Sequence, residues 1–369
     1  MGLIAQPNTY VHTGNPIVYK LDDATGEATL SLKIGVNVLA QVTANWYGGY
    51  EFDISKYVKA FVSSTAPNVA LEFNAQAESA ITFTVDISIV GPAFTNNYTH
   101  SFTALRGGLP KEVFAQDSNF FAYMGFNGNQ KLLTHQPLRK SSVSPENPEF
   151  LAFYTATWGG TITRNTTVYY TDGTSDIFTD AFAKSGDVIT CIRCKLTDVP
   201  YDEQKEVLEY HVFFTDGTRT TRLQIFEVDH SFRRQERFFI FENSLGGWDT
   251  LRCFGEQESE ANVMQEMASD YSGNYLANNI LKTDMFVYDS SISNEHEVNT
   301  GYYPASYVAY LREFMLSKNK YLVISNKLYP VVLTSKKIKY ANDEKNLKAA
   351  SFSYSLAADS NEFYHPNMI

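Results

Sequence analysis

Cysteine is scarce in this sequence: three residues in 369 cannot make a disulfide framework. Cys191 and Cys194 form a CxxC, but DVITCIRCKL has the composition of a strand, where residues three apart face opposite ways. No second CxxC or nearby histidine pair completes a zinc site, and the seven histidines stand scattered along the chain. Basic residues are also few: 30 Lys and Arg against 41 Asp and Glu leave a formal charge of −11. Phosphate backbones need Lys and Arg gathered on one face, so a nucleic-acid partner is not expected. The densest basic cluster, Arg233, Arg234 and Arg237, is interrupted by Glu236. No apolar run approaches the roughly 18 residues of a spanning helix, so membrane insertion is not expected. The opening MGLIAQPNTYVHTGNP has neither the basic start and apolar run of a signal peptide nor the Ser or Thr of a myristoylation site, which implies synthesis in a cytoplasm without a cleaved signal. Walker loops, GxSxG, HExxH and dinucleotide fingerprints are all missing, and no enzyme activity and no cofactor are expected.

What the chain has is aromatic bulk. Tyr (24) and Phe (26) far outnumber Trp (3), and both suit the pleated, half-buried surface of a sheet. The fold class expected is mainly β: tandem Ig-like antiparallel β-sandwiches followed by a small α+β C-terminal module.

Residues 1–92 alternate with period two, with Leu30, Leu32, Ile34, Val36 and Val38 assigned to one face and Ile81, Phe83, Val85, Ile87 and Ile89 to another. One-sided alternation implies an antiparallel sandwich, with a helical turn over KYVKAFV capped by Asp53 or Ser55. Residues 93–137 read as a β-hairpin connecting region holding Gly107-Gly108 and Asn127-Gly128 turns. Residues 138–236 read as an Ig-like sandwich in which two Thr-Asp-Gly-Thr turns, at Asp172 and Asp216, close hairpins of type I′. Residues 237–369 form the α+β module, with a helix from Pro304 to Ser317 carrying Tyr307, Val308, Leu311, Phe314 and Met315 on one apolar face. Its segments LYPVVL and SFSYSL are candidate exposed edges, Pro330 suiting an edge or the start of a strand. Each sandwich is expected to be stable alone.

Two groups of side chains are candidates for function. Glu242, Asp249, Glu256 and Glu258 surround a GGWD turn, and paired carboxylates at a suitable separation hydrolyse glycosides; a structural loop is the simpler reading. Trp46, Tyr47 and Tyr50 beside Gly48-Gly49, Trp158 beside Gly159-Gly160, and Trp248 are candidate loop rings for a protein or host-surface glycan contact. No catalytic or metal-binding residue is assigned.

The segments NPIVYKL, EFDISKYVKAFV, FFIFENSLGGWDTLRCFGE and LYPVVLTSKKIKY…LKAASFSYSLA occur in an order that resembles tail-associated structural proteins of phages infecting Bacteroidetes. The resemblance implies a virion component of a tail or baseplate, made in the host cytoplasm. It would act through copies of itself in a ring or layer and through other tail or neck proteins. A carbohydrate-binding or adhesion protein is the alternative.

Overall fold

The computed structural model describes residues 3–22, 26–46, 49–116, 123–125, 129–231, 233, 236–269, 276–277, 280–281, 285–339 and 347–357. The molecule is mainly β and divides into two compact units. The first comprises Met1–Phe232 with Ile240–Leu251 and Ala309–Asn319; the second comprises Arg233–Phe239, Arg252–Val308 and Lys320–Ile369.

The first unit holds two sandwiches. In the N-terminal one, strands Tyr10–His12, Phe94–Leu105, Ala80–Gly91, Gly26–Ile34 and Asn37–Trp46 form one sheet in that order, and Leu3–Ala5, Val18–Leu21 and Tyr50–Asp53 form the other. Alternation does what the sequence implies: Phe83, Val85, Ile87 and Ile89 are buried and pack with Tyr19, Leu21 and Phe52 of the facing sheet. Two expectations change. The run from Leu30 to Val38 is not one strand, because Gly35 takes φ +58° and turns the chain, leaving Val36 92% exposed. The strand Phe94–Leu105, assigned to the connecting region, pairs along its whole length with Ala80–Gly91, so the break after residue 92 falls inside a hairpin. The helical turn is Ser55–Lys59, and its N-cap is Ile54, without a side-chain cap, in place of Asp53 or Ser55; Asp53 accepts the Ser55 amide at 2.9 Å as a turn former.

The second sandwich is Ig-like in its pairing. Val207–Thr215 lies between Thr161–Tyr170 and Gln224–Val228, Ser175–Ala183 flanks the former, and Arg139–Val143 runs parallel to the latter. The facing sheet joins Phe150–Tyr154 to Ile189–Arg193. Its third strand comes from far earlier in the chain: Phe73–Gln76 pairs antiparallel with Ile189–Arg193. The second sandwich is therefore completed by a strand from outside residues 138–236 and is not the self-sufficient body expected. Phe153, Tyr170, Ile192, Cys194, Tyr210 and Phe226 contribute to the core.

Both Thr-Asp-Gly-Thr segments close hairpins, but only the glycines, Gly173 (φ +82°) and Gly217 (φ +87°), take positive φ. A type I′ turn needs two such residues. At the first turn the Gly173 amide donates to the Tyr170 carbonyl at 3.1 Å, the three-residue loop with a glycine bulge. Asp172 and Asp216 accept backbone amides of Thr174 and Thr218 at 2.8 Å each, as turn formers do.

Two of the glycine pairs, Gly107-Gly108 and Gly246-Gly247, meet. Gly108 donates to the Ser244 carbonyl at 2.7 Å, and a Cβ on Gly246 would stand 2.3 Å from the Arg106 carbonyl oxygen. Backbones this close admit only glycine.

The second unit contains an antiparallel sheet of Lys320–Ile324, Lys327–Leu333, Ser351–Leu356, Met285–Asn299 and Gln257–Ser269, in that order. Phe239 packs edge-on against Phe352 and Tyr354, at 5.6 and 5.2 Å between centroids. The LYPVVL and SFSYSL strands have neighbours on both sides, so neither is the edge expected of it; Gln257–Ser269 is. Pro330 is accommodated in register with Tyr321. The expected helix begins as a 3₁₀ turn, Ala305–Tyr307, and continues as Val308–Leu316, with Tyr307, Leu311 and Phe314 buried. Residues 309–319 belong to the first unit, so the C-terminal 133 residues are not one module.

Candidate functional site: an acidic ribbon

Most of the residues singled out in the sequence serve the interior. Trp158 is 4% exposed, donates from Nε1 to Gln130 Oε1 at 2.6 Å and lies 4.8 Å from the Phe153 ring. Trp248 is buried too and donates to Ser64 Oγ at 2.7 Å. Neither ring can be a loop-borne contact, because each indole fills core volume and has its N–H satisfied there. Tyr50 is half-buried, with its ring edge-on to Phe52 at 4.8 Å. The Trp46 side chain and Tyr47 lie outside the described residues.

Of the acidic group around the GGWD turn, Glu242 and Asp249 have structural duties, while Glu256 and Glu258 are exposed. Glu242 is clamped by Arg106 through Nε at 2.5 Å and Nη2 at 3.0 Å and takes a third bond from Asn319 Nδ2. Asp249 accepts from Thr134 Oγ1, Gln136 Nε2 and Asn243 Nδ2 at 2.7, 2.9 and 2.8 Å. Burial pushes its carboxyl above the ordinary range while these donors pull it down. Cys191, Cys194 and Cys253 are free and buried, and burial raises each thiol. Among the described residues no three His, Cys, Asp or Glu side chains gather as a metal site.

The feature that faces outward is the ribbon of Gln257–Ser269 and Met285–Asn299. Near its base His296 and Val298 register with Tyr354 and Phe352 of the third strand. Among the described residues, Gln257–Ser269 pairs with the returning strand alone. Strand geometry sorts the side chains into two faces.

One face carries Glu258, Glu260, Met264 and Glu266. Register places Glu258 opposite Glu297, Glu260 opposite Glu295 and Glu266 opposite Asp289. Like charges directly across an antiparallel pair destabilise it. The two strands contain no Lys or Arg to offset them. Two of these carboxylates accept hydroxyls, Glu266 from Tyr288 and Glu295 from Thr334, which leaves their charge in place.

The other face is uncharged. At the base it holds Val298, which is buried, and His296, whose ring lies 5.2 Å from Tyr354 and whose Nδ1 is 2.8 Å from Ser259 Oγ. Burial, and to a lesser degree the charge of Arg237, lowers the His296 pKa. Further out the same face carries Val263 and Met267, 57% and 55% exposed, with Val287, 46% exposed, opposite Met267. The stripe that belongs to the core at one end runs into solvent at the other. A bulge between Glu266 and Met267 adds twist there. Among the described residues the outer backbone of Gln257–Ser269 has no strand beside it, so amide and carbonyl groups stand along a 13-residue edge.

The same unit exposes the opposite charge at Lys336, Lys337 and Lys339, in the segment after Leu333. No ion pair involves these three lysines among the described residues. The period-two sorting of EQESEANVMQEM was visible in the sequence, but its length and pairing were not, because the partner strand begins 16 residues after the first one ends.

No family model matches this chain, and no curated protein does. Among solved structures, the CupB2 chaperone of Pseudomonas aeruginosa aligns at 8% identity over 68% of this chain and 97% of its own, with a TM-score of 0.20. The periplasmic chaperone SfaE aligns at 9% over 61% and 99%, with a TM-score of 0.18. The calcium-binding domain CBD12 of CALX1.1 aligns at 8% over 60% and 95%, with a TM-score of 0.19. Overlaps this slight carry no inference about what the chain does.

Proposed function

We propose that this chain is a structural virion protein of a phage tail or baseplate, working through self-association and contacts with other tail proteins. The observation that carries the self-association is the ribbon: three facing acid pairs, an exposed apolar stripe and a strand edge that is unpaired among the described residues, all on one element. Such a surface is stabilised by a partner that brings positive charge and apolar area together. The occupant is a second copy, docking its Lys336, Lys337 and Lys339 segment against the acidic face. If the two segments meet between successive copies, the contact is head-to-tail and closes into a ring where the rotation permits. The virion assignment itself is supported by the sequence resemblance.

The test is a charge exchange. Glu258→Lys/Glu260→Lys/Glu266→Lys should leave the protein monomeric by mass photometry under conditions where the unmodified chain forms rings. Lys336→Glu/Lys337→Glu/Lys339→Glu should do the same. Combining both sets in one chain should restore assembly, which a merely misfolded ribbon could not do. If the combined variant stays monomeric while each set alone melts normally, the partner is not this lysine segment. A mass-spectrometric inventory of purified particles that lacked the protein would overturn the virion reading separately.

A further inference from the structure

A cavity of about 190 Å³ in the first unit has a lining of unusual charge. Lys131, Arg222 and His135 contribute to it, and no Asp or Glu does. The fold forces the first two together. Asn129–Gln130 runs parallel to Thr220–Thr221, and the Arg222 amide donates to the Gln130 carbonyl at 2.7 Å. The next pair in that register is Lys131 with Arg222, and parallel neighbours in register share a face.

Neither cation has a carboxylate partner among the described residues. Lys131 rests its ammonium 3.9 Å from the Tyr123 ring centroid, and its pKa is lowered by burial and by the charge of Arg222. Two adjacent cations without an acid constitute an electrostatic cost that an anion would relieve.

The cavity also has an oriented acceptor. Gln136 is 8% exposed and its Nε2 donates to Asp249 Oδ1 at 2.9 Å. That bond fixes the amide, since the flipped amide would set oxygen against carboxylate. Its Oε1 is then a buried acceptor with no hydrogen-bond partner among the described residues. Thr134 and Asn243 complete the shell around Asp249, so the whole support is rigid. His135 is engaged elsewhere: its Nε2 is 3.0 Å from Ser244 Oγ and 3.7 Å from Glu313 Oε1. Leu132, Leu138, Leu223 and Leu245 supply apolar wall.

We propose that this cavity binds a small hydroxylated acid of the size and chemistry of a uronic acid. Its carboxylate is held between Lys131 and Arg222, a hydroxyl donates to Gln136 Oε1, and the leucines cover the C–H face of its ring. The volume lies below the roughly 300 Å³ at which drug-sized pockets begin, which limits the occupant to about one sugar residue. This site is independent of the assembly surface, and either proposal stands if the other falls.

The experiment is calorimetric titration of the full chain with glucuronate, glucose and inorganic phosphate. Glucuronate should bind about tenfold or more tighter than either control, because glucose lacks the charge and phosphate lacks the ring. Lys131→Gln and Arg222→Gln should each weaken glucuronate by about tenfold without shifting the melting temperature, since Arg222 is exposed and Lys131 half-buried. Glucose binding as well as glucuronate would show that the cations play no part. Equal affinity for phosphate would remove the hydroxyl contact, and no detectable binding of glucuronate in the millimolar range, or binding indifferent to both substitutions, would overturn the proposal.

Discussion

Lys140 places an ammonium group in the interior of the second sandwich, where its side chain is 3% exposed. It bonds to Glu149 Oε2 at 2.7 Å and to the Thr250 carbonyl at 2.6 Å. Removing one partner of a buried pair leaves the other uncompensated, so Lys140→Met should cost about 3–5 kcal/mol in denaturant unfolding. Lys140→Met/Glu149→Leu should recover much of that loss. His12 offers a second residue-level test. Burial, which outweighs a backbone hydrogen bond with Arg106, brings its pKa down to about 4. A folded-state pKa below the unfolded value of 6.5 means that the unfolded chain takes up the proton first. The contribution of His12 to stability is therefore complete above pH 6.5 and is lost as pH falls towards 4. The loss is about 3 kcal/mol across that window. His12→Gln should flatten the pH dependence of the melting temperature there. Some acid sensitivity should persist, because burial lowers His100 and His296 in the same direction.

At the scale of elements, local signals were legible where one strand faces one core. Phe83, Val85, Ile87 and Ile89 announce their own burial, and the two Asp-Gly turns announce their hairpins. Legibility ended wherever burial depends on a partner distant in sequence. Trp248 looks like a loop aromatic until Ser64, 184 residues earlier, receives its N–H. Glu242 reads as one carboxylate of a turn until Arg106, 136 residues earlier, bonds both its oxygens. The expected LYPVVL edge failed for a related reason. Pro330 lacks a donor, but only one position of the strand needed to do without it. The ribbon's charge predicts a salt response. Moderate salt, which screens exposed pairs, should weaken an assembly held by Lys336 and Lys337 against Glu258 and Glu260. A contact carried by Val263 and Met267 alone should instead strengthen in sulfate. Sedimentation at graded sodium chloride and sodium sulfate separates the two.

For the molecule as a whole, the borrowed strand Phe73–Gln76 is the decisive connection. Arg193 donates from its amide to the Glu72 carbonyl at 2.7 Å and from Nη1 to the Val69 carbonyl at 2.6 Å, and the Ile189 amide reaches Ser79 Oγ at 2.8 Å. Phe73 also stacks on Phe182 at 5.7 Å. A fragment of residues 123–232 should consequently be less stable than its sequence implies. A peptide of residues 66–80 added in trans should raise its melting temperature, and the same peptide with Phe73→Ser should not. During synthesis the lender emerges from the ribosome more than a hundred residues ahead of its borrower. At elongation rates of about 5–20 residues per second, Phe73–Gln76 must wait several seconds unpaired. The nascent chain thus passes through an interval in which a sticky segment is public before it becomes private, and crowding by neighbouring nascent copies would decide whether it closes on its own sandwich or on another's.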